Sequence, residues 1–339
     1  PDTTDPDARA EPSVGSADET EDNSVRDAED PSADEPSELV GADGTVTVEH
    51  ARGTTDVPVD PQRVYAASPR SVDIAVALGA PVVGGTRWRD DIPVQPYVAD
   101  LGVDIPTPTD RFNPNYEAVV ELAPDLILVP ATDESTQYEL YSEIAPTVAY
   151  GAAIGTRDQP SWDEITEEIA GYLGRTDQLP AVRAAYDDEV ERLRAAFETA
   201  GLTEATVAVV RPRETADFRL YRAGGLTAGD TLWADAGISY QEVPDSIMTG
   251  DRVWAELSAE RLDEVTADLV FIILPEGLAG FAAEQLAPGS IWSTLPATAD
   301  GSVCLIDDDG SEIGWFVIGP LALSQIVDDV VGCFESLPA

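Results

Sequence analysis

The chain has 339 residues, of which 65 are Asp or Glu and 19 are basic, every one of them Arg, so its formal net charge is −46. Such a charge repels nucleic acids and anionic membrane surfaces, and no nucleic-acid partner is expected. Concentrated salt screens the self-repulsion, since the Debye length falls to about 3 Å at 1 M, and the composition therefore indicates halophilic adaptation.

The first 43 residues differ in composition from the rest of the chain. Residues 1–43 are rich in Pro, Ser, Asp and Glu and contain little apolar surface to bury, so we expect a disordered, self-extending tether. Pro1 suggests a processed chain, and a tether ahead of a folded body suggests display outside a cell. No apolar run is long enough to span a bilayer.

An α/β pattern begins after a predicted pair of short alternating strands in "TVTVEHARGTTDVPV", which bend around Ala51–Gly53. Helical segments separate several of the strands that follow. These predicted strands are RVYAA (63–67), PVVGG (81–85), DLILV (125–129) and TVAY (147–150). A helix is predicted next in "SWDEITEEIAGYLG".

The longest predicted helix lies in "LPAVRAAYDDEVERLRAAFETAG". Pro180 suits its first turn and Gly201 suits its end. About 20 residues of helix is roughly 30 Å, the width of a small domain, so this helix can bridge two lobes by itself. Its apolar residues recur at helical spacing and are Val182, Tyr186, Val190, Leu193 and Phe197.

Beyond this helix the α/β pattern starts again and closes with a helix in "FVIGPLALSQIVDDVVGCFESL". The predicted strands are ATVAVVR (205–211), FRLYR (218–222), ADLVFIIL (267–274) and SVCLID (302–307). Because the length exceeds what one core usually organises, we predict two domains. The expected fold is α/β, with two Rossmann-like doubly wound lobes, residues 44–176 and 202–339, joined by a single long spine helix, residues 177–201.

A sequence repeat supports two similar lobes. "NPNYEAVVELAPDLILVP" (113–130) is echoed by "AELSAERLDEVTADLVFIIL" (255–274). The copies align without a gap, and the aligned pairs include Asn115 with Ser258, Glu117 with Glu260, Glu121 with Glu264, and Asp125 with Asp268. In each copy a cap-like residue is expected to open a short helix, and an Asp leads into a buried strand. A Glu near each helix start complements the helix dipole by about 0.3–1 kcal/mol.

In a chain with so few basic residues, the positions of Arg are informative. Eight of them fall in or near segments that follow predicted strands, where ligands of open α/β sheets collect. They are Arg70, Arg87, Arg89 and Arg111 in the first lobe and Arg211, Arg213, Arg219 and Arg222 in the second. Guanidinium groups suit carboxylate, hydroxamate or catecholate oxygens, and Trp88, Tyr221 and Trp315 can supply stacking walls. The alternative for each Arg is exposed pairing with the abundant acids.

The remaining aromatic and reactive residues have simpler interpretations. Core packing is expected for Trp162, Trp233, Trp254 and Trp292. Cys304 and Cys333 fit either one disulfide of an oxidising compartment or two separate buried thiols. With His50 as the single histidine, His-rich metal sites and His-based triads are excluded. We therefore expect no enzyme, no resident cofactor and no metal site.

Two acidic or glycine-rich segments resemble binding loops only in part. "AGGLTAGDTLWADAG" lacks the Gly-Lys-Ser/Thr ending of a phosphate loop and indicates a turn into a helix. "DDDG" at 307–310 lacks the spacing and the distal Glu of a calcium loop and indicates a solvated turn.

Five phrases in order resemble one protein family from about residue 45 to 337. They are "VEHARGTTDVPVDPQRVYAASPRSVDIAVALGAPVVGGT", "NYEAVVELAPDLILVP", "YSEIAPTVAYG", "IWSTLPATADGSVCLID" and "GWFVIGPLALSQIVDDVV". This ordered set resembles the class III (cluster A) substrate-binding proteins of ABC importers for ferric siderophores, heme and cobalamin, and the composition suggests a haloarchaeal member. The opening hairpin followed by "DPQRV" is most similar to the ferric-siderophore branch.

The resemblance implies a monomer outside the membrane that captures a ferric siderophore or similar metal chelate between two lobes and delivers it to an ABC permease dimer. It also implies that Glu117 and Glu260 dock into the permease. Attachment in the family is commonly through a lipidated Cys, which is absent here, so a lipid anchor is expected upstream of Pro1. The alternatives are cobalamin or heme as cargo, and a chelatase-like enzyme on a two-lobed scaffold.

Overall fold

The computed structural model describes residues 44–337 apart from 88, 90–91, 93, 108, 111–112, 132–134, 152–159, 214–216, 224–228, 275–285, 300, 307–311 and 318. The predicted tether, Trp88, Arg111 and the DDDG turn therefore lie outside the described residues. Across the described ranges, no helix is both long enough and apolar enough to cross a membrane.

An antiparallel hairpin opens the described chain and confirms the predicted pair of strands. Its strands are β1 (Thr45–His50) and β2 (Gly53–Pro58). The hairpin is attached to the first sheet, since Ala51 N donates to Ala149 O at 3.1 Å and Thr55 Oγ1 donates to Thr147 O at 3.0 Å.

A five-stranded parallel sheet follows in the first lobe. Its strands are β3 (Val64–Ala66), β4 (Val82–Arg87), β5 (Thr109–Asp110), β6 (Leu126–Pro130) and β7 (Thr147–Tyr150). The spatial order is β5-β4-β3-β6-β7, and all neighbours are parallel. Every residue of β3 and β7 is buried, which is typical of strands covered on both faces.

A six-stranded sheet forms in the second lobe. Its strands are β8 (Thr206–Pro212), β9 (Asp217–Tyr221), β10 (Ser239–Tyr240), β11 (Trp254–Ser258), β12 (Leu269–Ile273) and β13 (Val303–Ile306). The order is β11-β9-β8-β12-β13, and β10 also pairs with β8. Because β9 is antiparallel to both β8 and β11, the latter two run in the same direction.

Helices connect the strands of both sheets. The α-helices are α1 (Pro69–Ala77), α2 (Pro96–Ala99), α3 (Tyr116–Glu121), α4 (Ser135–Ser142), α5 (Trp162–Tyr172), α6 (Leu179–Ala200), α7 (Gly229–Asp235), α8 (Pro296–Ala299), α9 (Glu312–Val317) and α10 (Pro320–Ser336). Short 3₁₀ helices span Thr176–Gln178, Asp245–Ile247, Ala259–Glu264 and Trp292–Thr294. A capping box of Ser161 and Glu164 opens α5, and this motif satisfies backbone N–H groups that have no partner within the helix.

The spine helix α6 is present as predicted. Its buried residues are Val182, Tyr186, Val190, Leu193 and Phe197, the five apolar positions of the sequence pattern. Gly201 ends the helix with φ of +71°, a left-handed conformation that favours glycine. One cluster of buried side chains contains Leu128 of β6, Leu193 of α6 and Phe271 of β12, so the core is continuous through the spine. The bounds of the two lobes stay a prediction.

The repeated Asp has the same structural role in both copies. Asp125 precedes β6 and accepts hydrogen bonds from Gln62 N at 2.8 Å and Arg63 N at 2.9 Å, just before β3. Asp268 precedes β12 and accepts from the backbone N and the Oγ1 of Thr206 at the start of β8, both at 2.8 Å. Each Asp thus ties the start of one central strand to that of its neighbour.

The two helix starts of the repeat differ from each other. The Asn115 side chain accepts a hydrogen bond from Ala118 N at 3.2 Å, so it caps α3 as predicted. Ser258 occupies the corresponding position, but its side chain makes no capping bond, and the segment after it is a 3₁₀ helix. Ser258 therefore precedes a short helix, as expected, but the helix is 3₁₀ and the Ser258 side chain does not cap it.

A buried carboxylate attaches the C-terminal helix to the first lobe. Asp73 in α1 accepts hydrogen bonds from Leu321 N at 3.1 Å and Ala322 N at 2.9 Å, in the first turn of α10. Burial raises the pKa of Asp73 to about 7, although these two backbone bonds oppose the rise. Gly319 precedes α10 and lies so close that a Cβ there would be 2.3 Å from Asp73 Oδ1.

A disulfide joins Cys304 of β13 to Cys333 of α10. Of the two alternatives left open by the sequence, the structure contains the disulfide. The same helix is therefore bonded covalently to the second sheet and capped by the first lobe.

The close approach of Gly319 to Asp73 predicts a stability defect for Gly319→Ala. The added methyl group displaces the carboxylate from the α10 N-terminus, which costs about 2 kcal/mol. In the control Gly332→Ala, the new Cβ meets nothing within 4 Å, and we expect unchanged or slightly higher stability. Chemical denaturation followed by tryptophan fluorescence measures both, and equal unfolding free energies for the two variants would contradict this role of Gly319.

The disulfide predicts a redox-dependent stability. It closes a loop of 29 residues, so its removal in Cys304→Ala/Cys333→Ala lowers the unfolding free energy by about 3 kcal/mol. Wild-type protein unfolded with and without a thiol reductant should show the same difference, whereas the double variant should not respond to the reductant. Identical unfolding midpoints for oxidised and verified reduced wild type would refute the prediction.

Candidate functional site

Two arginines face each other near the carboxyl end of β8. Arg211 of β8 and Arg219 of β9 are direct cross-strand partners, so both side chains lie on the same face of the sheet. Ligands of open α/β sheets bind beyond the carboxyl ends of the parallel strands, and β8 is one of these. The pairing therefore brings two of the predicted Arg together where a ligand is expected.

Aromatic rings hold both guanidinium groups. Arg219 Cζ lies 4.3 Å from the centroid of the Trp254 ring, and Arg211 Cζ lies 4.6 Å from that of the Phe316 ring. Both Nε atoms are buried and have no hydrogen-bond partner among the described residues. Stacking thus orients the two groups without neutralising their charge.

Tyr221 lies beneath this pair. It is 1 % exposed, and its hydroxyl makes no hydrogen bond of standard geometry within the described ranges. Burial raises the pKa of Tyr221, and the charges of Arg211 and Arg219 oppose the rise. Burial also lowers the pKa of Arg211, the nearby phenol opposes this, and the positive charges of Arg219 and Arg213 add to the lowering.

The other two predicted arginines of the second lobe have acidic partners. Arg213 Nε lies 4.0 Å from Glu256 Oε1, and Arg222 Nη1 lies 3.3 Å from Asp245 Oδ1. Both carboxylates are exposed, so these pairs match the alternative of surface ion pairing.

Two arginines of the first lobe contact α9. Arg70 is buried and its Nε donates to Val317 O at 2.7 Å. Arg89 Nη1 forms a 3.1 Å ion pair with the buried Glu312 Oε1. Since Phe316 of the same helix stacks on Arg211, α9 contacts both lobes, and Arg70 and Arg89 position it.

Of the three remaining predicted residues, the structure describes only Arg87. Arg87 ends β4 and is half-buried. Trp88 and Arg111 are outside the described part of the chain.

The structure corrects the prediction for Trp315. This residue is 0 % exposed, its Nε1 donates to Asp329 Oδ2 at 2.7 Å, and its ring packs against Trp233 and Phe271. It belongs to the core because its side of α9 faces the second sheet, so it forms no pocket wall. Core packing is confirmed for Trp162, Trp233, Trp254 and Trp292, all of them buried.

Sequence reasoning missed Trp254 and Phe316 as supports of the arginines. Trp254 lies on β11, a strand absent from the prediction, and its cross-strand partner is Tyr221. Phe316 follows Arg211 by about a hundred positions, so no local pattern connects them. Trp254 could have been found only by predicting β11, since the signal is an aromatic residue on a strand that pairs with the Arg-bearing β9.

His50 has a structural role. Its Nδ1 accepts from Ala149 N at 3.3 Å, and its Nε2 lies 2.9 Å from Thr55 Oγ1. Burial lowers the pKa of His50, against the opposing charge of Glu168. The Nδ1 contact therefore attaches the hairpin to the first sheet, and the Nε2 contact joins the two strands of the hairpin.

A surface pocket of about 310 Å³ lies elsewhere, between α5 and the first turns of α6. Its Arg183 forms a 2.8 Å ion pair with Asp163 and stacks on Trp162 at 5.1 Å. Because that cation already has a carboxylate partner, the Arg211 and Arg219 pair is the better candidate site.

The two glutamates of the repeat are exposed at equivalent edges. Glu117 lies in the first turn of α3, which follows β5, and Glu260 lies in the 3₁₀ helix that follows β11. Since β11 runs parallel to β8, each Glu lies at the edge formed by the carboxyl ends of the parallel strands in its own sheet.

Comparison with known proteins identifies sequence relatives that match most of this chain. The probable siderophore-binding lipoprotein YfiY of Bacillus subtilis (strain 168) is 25% identical over 301 residues, which are 86% of this chain and 88% of that protein. The ferric-anguibactin-binding protein FatB of Vibrio anguillarum is 24% identical over 306 residues, 86% of this chain and 88% of that protein.

A solved structure agrees in fold. Staphylococcus aureus SirA, complexed with staphyloferrin B, superposes with a TM-score of 0.66 at 22% identity and covers 87% of this chain and 99% of that chain. A family model described as periplasmic binding protein matches residues 64–309, which is most of the chain. The chain is therefore a member of the periplasmic binding protein family.

Proposed function

We propose that the chain is the solute-binding component of an ABC importer and captures a ferric siderophore, or a similar metal chelate, between its two lobes. The observation that carries this proposal is the stacked, half-buried pair of Arg211 and Arg219, with buried Nε atoms, beside the Tyr221 hydroxyl. Siderophores hold iron(III) through oxygen atoms, and guanidinium groups recognise such oxygens well. The names of the relatives YfiY and FatB support the same role.

The proposed contacts come mainly from the second lobe. Arg211, Arg219 and Tyr221 donate to the chelate, while Trp254 and Phe316 hold the guanidinium groups. Further proposed contacts from the first lobe are Arg87, Trp88 and Arg111. The arginines with protein partners, Arg70, Arg89, Arg213 and Arg222, are proposed to shape the cleft.

Cobalamin and heme are the alternative cargoes. Heme iron is usually held by an axial His, Cys, Met or Tyr. His50 is engaged by structural hydrogen bonds and both cysteines form the disulfide, so a heme would need a Tyr or the single Met as its axial ligand. Nothing in the described residues favours a chelatase-like enzyme.

An extracellular location fits this role. The Cys304–Cys333 disulfide is typical of oxidising compartments, and the acidic composition fits concentrated salt. We propose a monomer held at the outer face of the cell membrane by a lipid anchor, as the name of the lipoprotein YfiY suggests for that relative.

Docking to the permease is proposed for Glu117 and Glu260. Both are exposed, and one lies on each lobe at the edge where the carboxyl ends of the parallel strands meet. An exposed carboxylate at such an edge pairs readily with a basic pocket of a membrane partner.

Ligand binding is tested by tryptophan quenching with ferric siderophores in concentrated salt. We expect saturable quenching by at least one chelate and at least a tenfold weaker affinity in Arg211→Gln, because a charge-assisted hydrogen bond contributes about 1.5–3 kcal/mol. The control Arg183→Gln, at the α5–α6 pocket, should bind like wild type. Absence of a response to every chelate would sink the proposal.

Docking is tested by Glu117→Arg and Glu260→Arg. Either charge reversal should leave chelate affinity unchanged and abolish uptake into proteoliposomes that contain the cognate permease. Glu121→Arg, an exposed position on the other end of α3, is the matched control and should transport normally. Loss of chelate binding, or normal uptake by both reversed variants, counts against the docking role.

A further inference from the structure

The pair of Arg211 and Arg219 is an unfavourable arrangement for the unliganded protein. Like charges directly opposite each other on antiparallel strands destabilise a sheet. The positive charge of Arg213 lies near enough to lower the pKa of Arg211 further. Three cations therefore crowd one corner of the second sheet.

The protein does little to neutralise this corner. Glu256 is the cross-strand partner of Arg219, but its ion pair is with Arg213, at 4.0 Å. Glu256 is also exposed, so solvent weakens its effect. In a chain with 65 acidic residues against 19 basic ones, the two guanidinium groups contact aromatic rings and form no ion pair within the described residues.

The buried polar atoms of the site need an acceptor. The Nε atoms of Arg211 and Arg219 are buried without a partner in the described ranges, and the buried Tyr221 hydroxyl, whose oxygen the two guanidinium groups approach, has no acceptor there for its O–H. A guanidinium group only donates hydrogen bonds, and a phenol also donates. A buried donor without an acceptor costs free energy, and the cost is larger for a charged group.

A neutral chelate and an anionic chelate would relieve this cost to different extents. Both carry oxygen acceptors for the three donors. Three hydroxamates neutralise iron(III), so such a chelate leaves the repulsion between the cations in place. Carboxylate or catecholate groups leave net negative charge on the chelate, which offsets the repulsion in a site of low dielectric.

We propose, on the basis of the function proposed above, that this site selects ferric chelates of net negative charge, the carboxylate and catecholate classes, over neutral hydroxamate chelates. The pair formed by Arg211 and Arg219 supplies the selectivity, and Trp254 and Phe316 preserve it by holding the cations without neutralising them.

The first experiment titrates the full chain with ferric citrate, a ferric tris-catecholate and neutral ferrichrome in the same concentrated salt. We expect at least one anionic chelate to bind at least tenfold more tightly than ferrichrome. Equal or tighter binding of ferrichrome overturns the selectivity and leaves the receptor role intact. Binding of none of the chelates defeats the proposed function itself.

The second experiment compares Arg219→Met with Arg252→Met. Both arginines stack on Trp254, at 4.3 and 5.3 Å, but Arg252 is exposed. We expect Arg219→Met to weaken the anionic chelate at least tenfold, to change ferrichrome affinity less than threefold, and to raise the unfolding midpoint of the unliganded protein. Arg252→Met should change none of these.

Two results for Arg219→Met would overturn the proposal. A parallel loss of affinity for anionic and neutral chelates would show that Arg219 contributes hydrogen bonds without charge selection. A lower unfolding midpoint than that of wild type would show that the protein itself already compensates the charge of Arg219.

Discussion

The site depends on one buried carboxylate far from it. Asp73 of the first lobe accepts the N–H groups of Leu321 and Ala322 at the start of α10, where a helix has donors without partners of its own. A buried helix end without such an acceptor would be costly. The contact holds α10, and α9 just before it, against both lobes. It thereby places Phe316 under the guanidinium group of Arg211.

Two pairs of arginines near the site have different roles. Arg70 and Arg89 bond to α9 and connect the lobes, so their charges belong to the structure. Arg211 and Arg219 rest on aromatic rings and keep their charge available. In a protein with a formal net charge of −46, this separation gives the second lobe one positively charged corner. The exposed acids elsewhere need no partners because solvent and salt screen them.

Much of the fold follows from the sequence, and the site follows only in part. Periodic apolar residues predict the spine helix and its five buried positions, with both ends within two residues, and buried apolar runs predict β6, β7 and β12 within two residues of their ends. The sequence did not predict β5, β10 or β11. The first two have only two residues each and show no periodicity, and β11 lies mostly within the repeat, where a helix was expected to begin. The direction in which a side chain points could not be predicted for Trp315. An aromatic residue in a segment near the cleft can equally face the core, and Trp315 does so.

The sequence by itself determined the α/β alternation on both sides of the spine helix and the spine helix itself, because helical and strand periodicity are local properties of the chain. Only the tertiary structure decided which arginines keep their charge. Arg89 and Glu312 are 223 positions apart, and Phe316 follows Arg211 by about a hundred positions, so no local pattern reveals these contacts. The disulfide was decided in the same way, since two cysteines pair only when the fold brings their Cα atoms close, here to 5.6 Å.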